Sequence, residues 1–302
     1  MRVPYYTVDV FSEERFGGNP LAVLPDATGL TSALMANIAR EFNYAETTFV
    51  LPAIEPQHTR RVRIFTPGGE IPFAGHPNLG TAFVLAARGD IRPVGSSAQV
   101  IFEEDAGPVP VTIRFAGQRP HYCELTAPQA FSRGHEYPAE TVAAAIGLEA
   151  RDIVCRVHAP TVASVGLPFL LVEVRDLQVL GRACVHHDKF AALEASDAFI
   201  GVHLYTRDVG DLDVDVRARM YAPLIGVPED PATGSANCAL AGLLAHRSDK
   251  ADGTLTWRIA QGIEMGRSSS LQATVRKRRG DVTTVQVGGA CVSVAEGWMQ
   301  VR

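Results

Sequence analysis

Apolar and polar positions in the first part of the chain fall into short runs rich in β-branched and aromatic residues. "YYTVDVF" at 5–11, "LAVLP" at 21–25, "ETTFVLP" at 46–52 and "RVRIFT" at 61–66 are each bounded by Gly, Pro or charge. Such runs predict strands. A helix interrupts them at 31–42, where a Thr/Ser cap precedes Leu34, Ile38 and Phe42 on one face. The pattern then changes. Over about 77–88, Leu79, Ala82, Phe83, Leu85, Ala86 and Ala87 cover nearly the whole helical circumference, and Pro77 occupies a first-turn position where its missing N–H costs nothing. A helix apolar on most sides is a buried helix.

The theme returns in the second half. After strands near 99–103, 109–115 and 121–126, the loop at 126–138 turns to Pro, Gly and Ser, and a helix follows at about 139–147. Strands are expected near 152–158, 169–175, 198–204 and 214–220, with a helix near 187–194. A second helix of small and apolar residues, 235–246, precedes strands near 254–260, 271–277, 282–288 and 290–301. Each half thus holds strands, a Pro/Gly-rich loop, one short helix of small and apolar residues and strands again, which points to an internal duplication with the domain change within 117–137. A helix wrapped by sheet would be free of charge in this way, with only its ends open to water.

Composition narrows the function. The chain has 302 residues, 46% hydrophobic and 20% charged, with a formal net charge of -5, values ordinary for a globular protein with room for two domains. The longest basic run, "RKRR" at 276–279, reads as strand-end decoration, so no nucleic-acid partner is expected. The start "MRVPYYTVDVF" lacks the pattern of a secretory leader and no run reaches the length of a membrane span, so a cytoplasmic protein with no membrane partner is expected. Five dispersed cysteines without CxxC spacing read as reduced, mostly buried thiols, neither a disulfide framework nor a zinc site.

Chemistry is expected at the N-termini of the two buried helices. Unsatisfied backbone N–H groups and the helix dipole attract carboxylate or phosphate there. In "FAGHP" (73–77) and "EDPATGS" (229–235), Gly75 and Gly234 leave the backbone bare, while Thr233 and Ser235 add hydroxyls; as plain structure these would be turns and N-caps. Asp230 could likewise be a turn carboxylate. Glu46 interrupts or opens an otherwise apolar, β-branched strand, where a carboxylate must be exposed, paired or used, and taken alone it reads as an exposed edge position. Enclosed, it would have the raised affinity for protons that carbon acid–base work needs. No GxSxG elbow, GxGxxG turn, phosphate loop or metal-ligand spacing is present, so no cofactor and no metal are expected.

In order along the chain, "DVFSEERFGGNPLAV" (9–23), "NYAETTFV" (43–50), "RIFTPGGEIPFAGHPNLGTA" (63–82), "GVPEDPATGSA" (226–236) and the terminal "GWMQV" closely resemble the PhzF-like proteins. That family, named for the phenazine-biosynthesis isomerase, has the diaminopimelate-epimerase fold. The resemblance implies an α+β fold of two similar lobes, each a barrel-like sheet around a central helix, with the active site in the cleft between them. The first lobe is expected at 1–117 plus about 291–302, the second at 118–290. It implies a cofactor-independent isomerase that moves a carbon-bound proton on a small carboxylate-bearing substrate, of the trans-2,3-dihydro-3-hydroxyanthranilate isomerase type, and a homodimer. Carried over residue by residue, Glu46 matches the proton-transferring carboxylate. His76 and Asp230 match groups that position substrate and assist proton movement, and Gly75, Thr233, Gly234 and Ser235 match the substrate-carboxylate anchor. Ala45 stands where some members carry Ser, and neither helix entrance holds the cysteine that diaminopimelate epimerases use there. The alternatives are an epimerase or racemase working from opposite faces, or a metabolite-binding protein of the same fold.

Overall fold

In the computed structural model, which describes residues 1–194 and 199–301, the two uncharged stretches become helices almost cut off from water. The first, α2 in chain order, covers Gly75–Ala87 and the second, α6, covers Gly234–His246. Every residue of α2 from Gly75 to Ala86 is buried, and in α6 only Ser235 and the final His246 and its flank approach solvent. The chain divides into two compact units, residues 1–126 with 288–302, and residues 127–287.

The first unit consists of β1 (Arg2–Val10), β2 (Asn19–Leu24), α1 (Ser32–Phe42), β3 (Glu46–Leu51), β4 (Arg60–Thr66), β5 (Gly69–Ile71), α2, β6 (Ser97–Glu104), β7 (Gly107–Ala116) and β8 (Arg119–Thr126). The last strand of the chain, β17 (Asp281–Gln300), contributes its residues from Gly288 onward. Strand pairing runs β17–β1–β2–β3–β4–β6–β7–β8, and β8 returns to β17, closing a barrel. Helix α2 fills it, packed against β1, β2, β3, β7 and β8. Burying Leu79, Phe83 and Leu85 in this way contributes ~1.5–3 kcal/mol each. Outside the barrel, α1 lays Met35, Ile38 and Ala39 on Leu24, Phe49 and Phe65. Thr31 caps it, accepting a bond from the Leu34 N–H at 3.3 Å.

The second unit repeats the plan. It contains β9 (Ser132–Glu136), α3 (Ala139–Ala145), β10 (Thr161–Ser164), β11 (Pro168–Glu173), α4 (Leu177–Arg182), α5 (His187–Glu194), β12 (Val202–Thr206), β13 (Val216–Ala222), β14 (Val227–Asp230), α6, β15 (Gly253–Gln261) and β16 (Ser269–Arg278). Its pairings are β10–β11 antiparallel, β11–β12 parallel, β12–β13 antiparallel, β13–β15 parallel and β15–β16 antiparallel. The first unit has the same order and the same sense in β1–β2, β2–β3, β3–β4, β4–β6 and β6–β7. The α+β duplication expected from the two uncharged helices is therefore present strand for strand.

Several expectations are corrected. The units divide at 126/127 and 287/288 rather than at 117 and 291, because β8 pairs with β7 and β17 and packs on α2. The strand expected at 152–158 is absent. A 3-10 turn, Ala150–Asp152, stands there with one isolated bridge, Ile153–Val174. Buried Asp152 holds it, accepting the Glu149 N–H at 3.1 Å and pairing with Arg182 and with Arg175 at 3.5 Å. The loop 126–138 contains β9, whose five residues are all exposed and carry no alternation to read. The strand expected at 198–204 runs from Val202, and position 198 lies outside the described residues. The two last strands are one, β17. Within "RKRR", Lys277 is buried and its ammonium donates to the Ala245 and Ser248 carbonyls at 2.8 and 3.0 Å, closing the C-terminal end of α6.

Candidate functional site

The structure places the candidate residues at the N-terminal ends of α2 and α6. Glu46, His76 and Gly75 belong to the first unit; Asp230, Thr233, Gly234 and Ser235 belong to the second.

Glu46 is the first residue of β3, a strand paired on both sides, with β2 and with β4. An exposed sheet edge is thereby ruled out as its explanation. Its side chain is only 16% exposed, and Oε2 lies 3.5 Å from Nε2 of His76 in the first turn of α2. The His76 ring is buried, and burial pushes its pKa down to about 3. The contact is therefore between a carboxyl group and a neutral imidazole, not an ion pair. Ala74, the N-cap of α2, has no capping side chain. The N–H groups of the first turn are left without a side-chain cap, which suits an anionic group.

In the second unit Asp230 ends β14, and the tight loop Pro231–Thr233 leads into α6. Thr233 holds the N-cap position, yet its hydroxyl makes no capping bond. It donates instead to Oδ2 of Asp230 at 2.5 Å, so the first N–H groups of α6 also lack a side-chain cap. Ser235 is the half-exposed residue of this entrance. Gln261, at the end of β15, ties the loop together. Its amide donates to the Asp230 carbonyl at 2.8 Å and to Thr233 Oγ1 at 3.0 Å, and its Oε1 accepts the Thr233 N–H at 3.1 Å.

Reading the residues alone missed Asn78 and Asn237. Each lies fully buried in the first turn of its helix, and each donates its side-chain amide to the carbonyl four residues back, Ala74 or Thr233, at 2.9 Å. Asn237 also donates to Gln261 Oε1 at 2.8 Å and accepts from Nε2 of buried His203 at 3.1 Å. Burial pushes the His203 pKa down to about 4. A signal for both asparagines was present. "PFAGHPN" (72–78) and "PATGSAN" (231–237) share Pro, Gly and Asn at the same spacing, and an amide inside an otherwise apolar helix needs partners.

That alignment matches Ile71 to Asp230. The strand registers agree, since Ile64 of β4 faces Ile71 as Met220 of β13 faces Asp230. Thr48 faces Ile64 as His203 faces Met220, so Glu46 corresponds to Gly201. The two acids therefore occupy non-equivalent positions of the repeat. Among the described residues, no group of three or more His, Cys, Asp or Glu could hold a metal ion. A groove of about 540 Å³ lined by Arg15, Phe83, Ala87, Arg119 and His121 lies at the other end of α2, away from His76, and none of the candidate residues lines it. No helix of the described residues is long and apolar enough to cross a membrane.

The sequence pattern of the phenazine biosynthesis-like proteins, PhzC-PhzF, matches residues 8–297. An uncharacterized isomerase of Mesorhizobium japonicum is 36% identical, with 97% of each chain covered. The trans-2,3-dihydro-3-hydroxyanthranilate isomerase of Pseudomonas aeruginosa is 34% identical over 97% of this chain and 98% of its own. A PhzF-family phenazine biosynthesis protein of Bacillus anthracis superposes with a TM-score of 0.89 over 99% of both chains, at 25% identity. With a duplicated α+β fold of the epimerase type, a family pattern spanning nearly its whole length and relatives named as isomerases, the chain belongs to the phenazine biosynthesis-like (PhzC-PhzF) family and is an enzyme of the isomerase class.

Proposed function

We propose that this enzyme shifts a carbon-bound proton on a small carboxylate-bearing substrate of the trans-2,3-dihydro-3-hydroxyanthranilate type, without a cofactor and with Glu46 as general acid and base. The observation that carries the reading is the Glu46–His76 pair, a half-buried carboxyl 3.5 Å from an imidazole that burial keeps neutral.

The step is a proton shift from one ring carbon to another along the substrate's conjugated double bonds. A C–H bond of the substrate breaks and its proton passes to the Glu46 carboxylate. The electron pair moves to form a new double bond while the old one opens, and Glu46 returns a proton to the carbon at the far end. Nothing is oxidised or reduced. A carboxylic acid formed midway needs neighbours that do not hold a competing charge, and neutral His76 meets that requirement. Negative charge that builds up on the substrate is stabilised by uncapped helix N–H groups such as those at Gly75. The α6 entrance offers a carboxylate the Gly234 and Ser235 N–H groups and the Ser235 hydroxyl, with Thr233 and Asp230 fixing the loop.

An epimerase working from opposite faces is the second reading, but the asymmetry of the repeat favours the first. A pair of opposed bases on a duplicated fold is expected at equivalent positions, whereas Glu46 corresponds to Gly201 and Asp230 to Ile71. Incubation of the enzyme with the dihydrohydroxyanthranilate in heavy water distinguishes them. A product with a migrated double bond and deuterium at the new C–H position supports isomerisation; inversion at one carbon with the double bond in place supports the epimerase.

A further inference from the structure

Glu104 ends β6 in the first unit and is 6% exposed. The two strand registers assign its counterpart. Arg60 and Arg61 of β4 face Phe102 and Glu103, as Val216 and Arg217 of β13 face Ile259 and Ala260. With Ile64 matched to Met220, the residue after each pair is Glu104 in the first unit and Gln261 in the second. The surroundings correspond as well. Asn78 lies beside Glu104 as Asn237 lies beside Gln261. The turn after β6 reaches the loop before α2 through Ala106 N–H to Pro72 O at 3.2 Å, and Ser269 of β16 reaches the loop before α6 through its hydroxyl to Pro231 O at 2.9 Å.

We propose that Glu104 is held as the neutral carboxylic acid and acts as a positioning residue, the counterpart of Gln261, fixing Asn78 and with it the entrance of α2 that carries Gly75 and His76. Three acceptor atoms make the case. Both Glu104 oxygens and Oδ1 of Asn78 are buried without a short, well-aligned hydrogen bond among the described residues, the Asn78 amide being the neighbour of the Glu104 carboxyl. Asn78 Nδ2 gives one hydrogen to Ala74 O and turns the other to the Glu104 carboxyl, as Asn237 Nδ2 serves both Thr233 O and Gln261 Oε1, and Oδ1 is the atom that needs a donor. An ionised Glu104 adds two more acceptors; a protonated one supplies the missing O–H. Gln261 shows what the position requires, since it donates and accepts at once, which an acid can imitate and a carboxylate cannot.

Burial raises the Glu104 pKa to about 8 against the hydrogen bond from Asn78, which lowers it, and the nearby Asp105 pushes it up. Charged groups on neighbouring elements are engaged elsewhere. Glu103 meets His58 at 3.1 Å, Asp105 meets Arg61 at 3.4 Å, Glu70 meets Arg63 at 2.6 Å, and His76 is neutral.

The test compares wild type with Glu104→Gln by infrared difference spectroscopy and by denaturant unfolding from pH 4 to 9; neither readout depends on the proposed reaction. At neutral pH the wild type is expected to show a protonated-carboxyl band that the variant lacks. Its unfolding constant should rise against the variant's by up to about tenfold per pH unit between pH 4.5 and 8, then level off. Turnover of the dihydrohydroxyanthranilate, the one readout that rests on the proposed reaction, should stay within about threefold. The reciprocal Gln261→Glu should fold at pH 4 and lose stability as pH rises. A wild type without the band, or a pH-independent stability difference in both variants, overturns the proposal.

Discussion

Asn78 and Asn237 make the same bond in the two halves of the molecule, each giving its side-chain N–H to the carbonyl four residues earlier at 2.9 Å. Their surroundings differ. Asn237 also bonds Gln261 and His203, whereas Asn78 has the Glu104 carboxyl beside it. Asn237→Ala leaves Gln261 Oε1 and the His203 Nε2–H short of a partner, and is expected to cost about 3 kcal/mol. Asn78→Ala should cost about 2 kcal/mol, since it removes the bond to Ala74 O and the partner of the buried Glu104 carboxyl. Denaturant unfolding checks both values and their order.

Two helical glycines pit propensity against packing. Replacing Gly by Ala in a helix is worth about 1 kcal/mol. At Gly80, however, a Cβ would lie 2.6 Å from Leu21 Cδ2 and 2.9 Å from Val10 Cγ2, and at Gly242 it would lie 2.4 Å from the Phe131 ring. Overpacking of this kind costs about 1–3 kcal/mol, so Gly80→Ala and Gly242→Ala should lower the thermal midpoint despite the better helix former.

Acid should unfold the protein through its buried histidines. His76 and His203 resist protonation down to about pH 3 and 4 in the folded state, against an ordinary value of 6.5. The unfolded chain takes up both protons below 6.5. Stability present above pH 6.5 is therefore lost as pH falls toward 4, by about 3 kcal/mol per pH unit from the pair. His203→Gln should remove about half of that slope, read from unfolding free energies at a series of pH values.

Ser235 offers its hydroxyl to a carboxylate at the α6 entrance, and being half-exposed it should matter little for folding. Ser235→Ala is expected to change stability by less than about 0.5 kcal/mol. It should raise KM about tenfold or more, the worth of one hydrogen bond to a charged group, with kcat little affected. Steady-state kinetics on the dihydrohydroxyanthranilate reads both constants.

The two buried helices were legible in the sequence, because the runs at 77–87 and 235–245 carry no Asp, Glu, Lys or Arg. The duplication could be read from them, and so could the placing of Glu46, His76 and Asp230 at strand ends and helix entrances. Other features depended on long-range partners. Asp152 holds a turn where "DIVCRV" reads as strand, because its arginines lie far along the chain. Strand β9 is exposed throughout and has no apolar face to betray it. The non-equivalence of Glu46 and Asp230 emerges only from strand register, as does the match of Glu104 to Gln261.

Glu46 is proposed to carry the migrating proton. The most direct measurement follows the dihydrohydroxyanthranilate by NMR in heavy water with wild type and with Glu46→Gln. Wild type should place deuterium at the new C–H position, and the variant, its fold checked by circular dichroism, should turn over at least about a hundredfold more slowly. A correctly folded Glu46→Gln enzyme that turns over within a few-fold of wild type would contradict that role.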